Sequence, residues 1–238
     1  MSEPDHLPKL RRGGKPAPPE QLPRQRVGTT PQQRGRYPDF DALAQAKHWD
    51  PVTRRVVLER VERVPKIRFF TPAEATTLGA FCDVAMAQDA EPRIPVLEMV
   101  DAKLYERRLD GFRHADMPED PETWRRVARQ LDVEASARGH HDGFAAAPDD
   151  CRREIAEAFS KGELDWDDLP SSKAFGVLMR AVLSAFYSHP WAWSEIGFGG
   201  PAYPRGYARL GAGQREPWER SPQFDPDPVQ DVEERGLE

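Results

Sequence analysis

The residues of this sequence best suited to acid–base chemistry are His189, Glu195 and Arg205. An imidazole titrates near neutral pH, a nearby carboxylate can orient it, and a guanidinium can grip an anion through two parallel hydrogen bonds. This trio defines one reading of the chain, a stand-alone helical enzyme. Nothing close in sequence supplies a nucleophile to go with it. The same stretch is dense in aromatics and glycines: Tyr187, Trp191, Trp193, Phe198, Tyr203 and Tyr207 surround Gly197, Gly199 and Gly200. Large rings with few rotatable bonds anchor protein interfaces, and glycines let a backbone bend or come close to another surface. The segment also suits a cap over the chain's own helices. As a whole its composition favours a partner-facing surface built from Tyr187, His189, Trp191, Trp193, Phe198, Tyr203, Arg205 and Tyr207.

Other candidate sites are weaker. Gly197-Phe198-Gly199-Gly200-Pro201-Ala202 has the outline of a dinucleotide-binding turn. A helix precedes it where a strand is needed, and Pro201 and Pro204 oppose a helix starting there. His140-His141-Asp142 invites a metal, yet adjacent histidines point apart, and a polar turn after Gly139 is the simpler reading. Glu163, Asp165, Asp167 and Asp168 surround Trp166 without the glycine and terminal glutamate of a calcium loop. They read as a solvated linker. Cys82 and Cys151 fall on apolar positions of helical patterns and read as buried thiols. No cofactor or metal site is expected in this chain.

Charge separates along the 238 residues, whose formal net value is −6. Residues 1–36 carry Lys9, Arg11, Arg12, Lys15, Arg24, Arg26, Arg34 and Arg36 against Glu3, Asp5 and Glu20, while the stretch from Glu216 to Glu238 is acidic. Net acidity argues against a general nucleic-acid binder. The chain has 24 prolines, about twice the share in an average chain; eleven of them fall in these two ends, which are expected to be disordered arms. No apolar run is long enough for a membrane span. The twin arginine Arg11-Arg12 is followed by Gly13-Gly14-Lys15-Pro16 and not by an apolar run, so no signal peptide is expected. The expected location is the cytoplasm, or export in the company of a partner that carries a leader.

Between the arms the pattern is helical. Thr71-Pro72-Ala73-Glu74 is a capping box with proline at the first helical position, and Ala75, Leu78, Cys82 and Ala85 continue it as one stripe. A second helix is predicted from Pro95 to Arg108. A third starts at Asp120-Pro121 with Trp124, Val127, Ala128, Leu131 and Ala135 as its stripe, and ends at Gly139. A fourth runs from near Pro148 through Ile155 and Phe159 to Gly162. A fifth, capped by Ser171 or Ser172, carries Phe175, Leu178, Met179, Val182 and Phe186 and stops at Pro190. Residues 37–70 are ambiguous: Val56, Val57, Leu58, Val61 and Val64 fit a short helix or β-branched extended strands. The reading taken is an extended arm. The predicted fold is therefore all-α, a compact bundle of about five amphipathic helices followed by an irregular aromatic segment. Its divisions are a basic arm (1–36), an extended or partly ordered arm (37–68), a helical domain (69–210) and an acidic tail (211–238).

With these residues in view, the sequence resembles the gluconate 2-dehydrogenase subunit 3 family over about residues 65–210. The opening Phe69-Phe70-Thr71-Pro72-Ala73-Glu74 is a common pattern. The closing Tyr187-Ser188-His189-Pro190, with Ile196-Gly197-Phe198-Gly199-Gly200-Pro201-Ala202-Tyr203-Pro204-Arg205-Gly206-Tyr207, is far more specific. The resemblance implies a small, non-catalytic subunit without a redox cofactor of its own. Its partner would be a large FAD-dependent dehydrogenase subunit of the glucose–methanol–choline type, acting on gluconate, other sugars or polyols. A cytochrome c subunit often completes such complexes. Many relatives open with a twin-arginine leader; this chain opens with a basic arm, which bears on an escort role more than on a scaffolding one.

Overall fold

The computed structural model describes residues 18–24, 37, 40–109, 111, 113–167, 169–201, 215, 216 and 218–220. Among them are seven α-helices and no strand: α1 Pro51–Glu62, α2 Pro72–Ala85, α3 Val96–Tyr105, α4 Asp120–Ala137, α5 Asp149–Lys161, α6 Ser171–Phe186 and α7 Pro190–Ile196. The all-α class matches the sequence reading, and the five predicted helices are α2 to α6. None of the described helices is long and apolar enough to cross a membrane.

The helix ends follow local chemistry. Thr71 and Glu74 form the reciprocal capping box, with the Glu74 carboxylate accepting from the Thr71 N–H at 2.9 Å. Gly162 closes α5 in the left-handed conformation at φ +70°, where a side chain would be strained and its Cβ would crowd Ser172. One cap differs from expectation. Ser171 is the first helical residue of α6, and Pro170 occupies the cap position with no side-chain hydrogen bond. The helix predicted from Pro95 to Arg108 is shorter, ending at Tyr105.

Helices α2 and α6 form the middle of the bundle; α3, α4 and α5 pack on both. Leu78, Phe81, Trp124, Leu131, Ile155, Phe159 and Leu178 are wholly enclosed. Phe159 touches Phe81, Trp166 and Phe175 with ring centroids 5.7, 4.8 and 5.2 Å apart. The acidic loop after α5 is thus tied down by its indole: Trp166 is buried and donates to Glu134 Oε1 at 3.1 Å. The buried Gln88 amide closes the loop between α2 and α3, accepting from Ile94 N–H at 2.7 Å and donating to its carbonyl at 3.1 Å.

Two regions depart from the sequence reading. Residues 37–68 are not an extended arm: a 3₁₀ helix at Leu43–His48 leads into α1. Asp50 caps α1 by accepting from Val52 and Thr53, and Pro51 fills the first helical position. The valines settle as helix because Val57, Leu58 and Val61 can then share one buried face. Within the supposedly disordered arm 1–36, residues 18–24 form an ordered turn over Pro19–Gln21, with Leu22 buried. Arg24 holds that turn, donating to the carbonyls of Pro19 and Leu22 at 2.8 and 2.6 Å and to Asp41 at 2.9 Å. The rest of the basic arm, and most of the acidic tail, lie outside the described residues.

A buried carboxylate joins the N-terminal region to the bundle. Asp101, on α3, is fully enclosed and accepts the backbone N–H groups of Arg68, Phe69 and Phe70 at 2.8, 2.8 and 3.0 Å. Phe70 then turns inward against Trp124, at 5.9 Å between centroids.

Candidate functional site

The segment after α6 is more regular than its glycines and prolines suggest. His189 caps α7, its Nδ1 accepting from Trp191 N–H at 3.3 Å, and Pro190 starts the helix. Gly197 ends it in the left-handed conformation. The expectation of an irregular stretch is corrected here: seven residues are too few to show periodicity, but the cap, proline and glycine that define a helix are all present.

Of the four described aromatics of this segment, Trp191, Trp193 and Phe198 face inward. The Trp191 indole donates to the Pro23 carbonyl at 3.0 Å, and the Ala42 N–H donates to Ser194 Oγ at 3.0 Å. Trp49 donates to the Gly199 carbonyl at 2.7 Å and meets Trp193 edge-on at 5.9 Å. Trp193 in turn donates to the Tyr187 carbonyl at 2.6 Å and packs on Phe198 at 5.1 Å. Trp218 stacks on His48 at 5.5 Å. The result is a clasp in which α7 and its flanks grip the described parts of residues 18–49. Of the residues predicted to face a partner, His189, Trp191 and Trp193 are buried in this clasp. Phe198 is partly buried, and Tyr187 is 40% exposed. Tyr203, Arg205 and Tyr207 lie outside the described residues.

The clasp also explains the glycines. A Cβ on Gly197 would press on the Tyr37 ring, one on Gly199 on Trp218, and one on Gly200 on Trp49. The close approach that glycine permits is made to the chain's own rings at Gly197 and Gly200 and to the Trp218 carbonyl at Gly199. The likeness to a dinucleotide turn ends there, since the faces a pyrophosphate needs are filled.

His189 is 1% exposed, and burial pushes its pKa down to about 3, so the ring is neutral at physiological pH. It sits at the N-terminus of α7. There it is a hydrogen-bond acceptor cut off from solvent. Glu195 is buried as well. Neither residue lines the cleft between α1, α3 and α6 or the one between α2 and α5. His140, His141 and Asp142 form a polar turn, and no metal-type cluster of histidine, cysteine and carboxylate occurs among the described residues. Cys82 is buried, its thiol pushed by that burial well above the ordinary range, whereas Cys151 is half-exposed.

Sequence reasoning missed a cleft of about 490 Å³ between α1, α3 and the end of α6. Val56, Met99 and Ala185 form apolar wall; Arg60, Arg63, Lys103 and Arg108 bring positive charge, against a single acidic lining residue, Glu59. Arg60 reaches across it to donate to the Ser188 carbonyl at 2.5 Å. On the same last turns of α6, Leu183 and Tyr187 stand exposed four residues apart, on one face of the helix. The spacing of Arg60 and Arg63 was visible in the sequence, but its partner surfaces come from helices about 40 and 120 residues away, which periodicity does not report.

The profile of the gluconate 2-dehydrogenase subunit 3 family matches residues 72–200, more than half of the chain, and the protein belongs to that family. The match runs from the first residue of α2 to the glycine seated on Trp49. No curated protein and no solved structure matches the chain.

Proposed function

We propose that this chain is the non-catalytic small subunit of a sugar, gluconate or polyol dehydrogenase, which binds and stabilises the large FAD-containing subunit. The observation that carries the reading is the family match across the whole of α2 to α7. The family's name describes a subunit of a gluconate dehydrogenase complex. The large subunit, of the glucose–methanol–choline type, holds the FAD and performs the oxidation; a cytochrome c subunit is the expected electron acceptor. Its location in the cell is that of the large subunit.

Exposure supports a docking face that includes Leu183 and Tyr187. Indoles already bonded to carbonyls of their own chain have little to offer a partner, and exposed apolar side chains have more. Leu183 and Tyr187 are therefore the first residues to alter. The test is affinity capture of the tagged chain from its native host under gentle lysis. A yellow eluate containing a protein at least about twice this mass, weakened by Leu183→Asp with Tyr187→Asp, supports the proposal. A colourless eluate of this chain alone, with the large subunit expressed, overturns it.

A further inference from the structure

We propose that the basic cleft between α1, α3 and α6 is the docking site of the chain's own acidic C-terminal segment, residues 225–234. The argument starts from Arg60. Its guanidinium is largely withdrawn from water, and burial lowers its pKa from the usual arginine value. Its hydrogen bond goes to a neutral carbonyl, that of Ser188, and among the described residues it forms no ion pair. A desolvated cation held by a carbonyl is stabilised most by a carboxylate, which a guanidinium can bind through two donors. Of the other charges lining the cleft, Arg63, Lys103 and Arg108 are positive, Arg108 bonded to Glu106 at 2.9 Å, and Glu59 is the one carboxylate.

The cleft thus selects an anion, and its apolar wall selects one carried next to apolar groups. The segment that answers to both descriptions is Asp225-Pro226-Asp227-Pro228-Val229-Gln230-Asp231-Val232-Glu233-Glu234, where five carboxylates alternate with two valines and no cation intervenes. It is also close at hand. Trp218 is fixed by stacking on His48, two residues before the cap of α1. Arg60 lies nine residues beyond Pro51, about 14 Å along the helix at ~1.5 Å per residue. From Arg220 to Asp231 the chain spans up to about 36 Å at ~3.3 Å per residue. A tether of that length keeps the carboxylates at an effective concentration on the order of millimolar, so weak pairs suffice. Docked, the tail covers the cleft in the isolated chain, and any anionic partner that uses the same cleft must displace it.

The test is zero-length carbodiimide coupling of the full-length monomer, with mass spectrometry of the peptides. The reagent joins a carboxylate to an amine in contact with it, and Lys103 is the amine of the cleft. The expected product is an intramolecular link from Lys103 to Asp231, Glu233 or Glu234. That link is lost in high salt, in Arg63→Glu, and in a chain with Asp231→Asn, Glu233→Gln and Glu234→Gln. Arg63 is exposed at the end of α1 and the tail changes lie outside the bundle, so unchanged circular dichroism in these variants separates lost docking from lost folding. Links from the tail to Lys9 or Lys15 of the basic arm in place of Lys103 would overturn the proposal. So would links formed only between separate chains, or no tail link to Lys103 at all. None of these outcomes depends on the large subunit.

Discussion

The bundle of α2 to α6 and the clasp around α7 are held together in different ways. In the bundle, periodic apolar stripes interdigitate, each stripe carried by a single helix, with α3, α4 and α5 packing on both α2 and α6. In the clasp, indole N–H groups reach carbonyls some 150 to 170 residues away, Trp49 to Gly199 and Trp191 to Pro23. Apolar packing is non-directional and degrades gradually as atoms are removed; a hydrogen bond between buried groups is directional, and losing one partner leaves the other unsatisfied. The two regions should therefore fail separately. The bundle should fail as a unit, and the clasp should open while the bundle persists.

The sharpest way to break that contrast is in the bundle. Leu178 is fully enclosed, so Leu178→Asp places a charge in the core and costs upwards of about 4 kcal/mol. The expected outcome is loss of the cooperative melt by circular dichroism. Phe175→Asp, at a half-buried position, should cost less. Next comes the seam: Asp101→Ala strips three backbone N–H groups of their acceptor and should cost about 3 kcal/mol or more, read as a lowered melting temperature. A melt that stays where it was would show that the seam bears no weight.

The clasp gives smaller effects. Trp49→Phe keeps a ring but removes the donor to Gly199, and about 1–2 kcal/mol is expected. Limited proteolysis should then cut first within residues 40–62, with the helical signal of the bundle retained. Simultaneous loss of both would erase the distinction drawn above. The smallest effect at neutral pH belongs to His189→Asn, which keeps a capping acceptor while removing a titratable group. Because the folded-state pKa of His189 is depressed to about 3, the unfolded chain binds more protons between that value and an ordinary pKa near 6.5. Stability from this residue is whole above pH 6.5 and falls as the pH drops below it, by up to about 1.4 kcal/mol per pH unit. Protonation would also place a cation at the positive end of α7. His189→Asn should flatten the acid side of the stability profile; an unchanged slope would remove His189 from the account.

The same contrast decides what could be read in advance. Helices α2 to α6 show themselves because one stripe and one cap suffice to define each, and both are local. Helix α1 was ambiguous because its valines favour strands as readily as helices. The deciding signal, Asp50-Pro51, was present but brief. Helix α7 is shorter than any window in which periodicity can appear. The clasp was legible only as a collection of aromatics. Whether Trp191 turns toward a partner or toward Pro23 is settled by where two distant segments meet, and no local rule fixes that. The cleft was hidden for the same reason: Arg60 looks like any charge on a helix until Ser188 arrives opposite it.

The seat of Trp49 against Gly200 bears on where this protein can be cut. The family match begins at Pro72, and a fragment started there would look complete by that measure. It would nevertheless leave behind Pro23, Ala42 and Trp49, baring two indoles and a glycine face shaped to receive a third. Such a fragment should be sticky and hard to keep in solution. The matched region and the packed unit have different borders here, and the packed unit takes in residues 18–24.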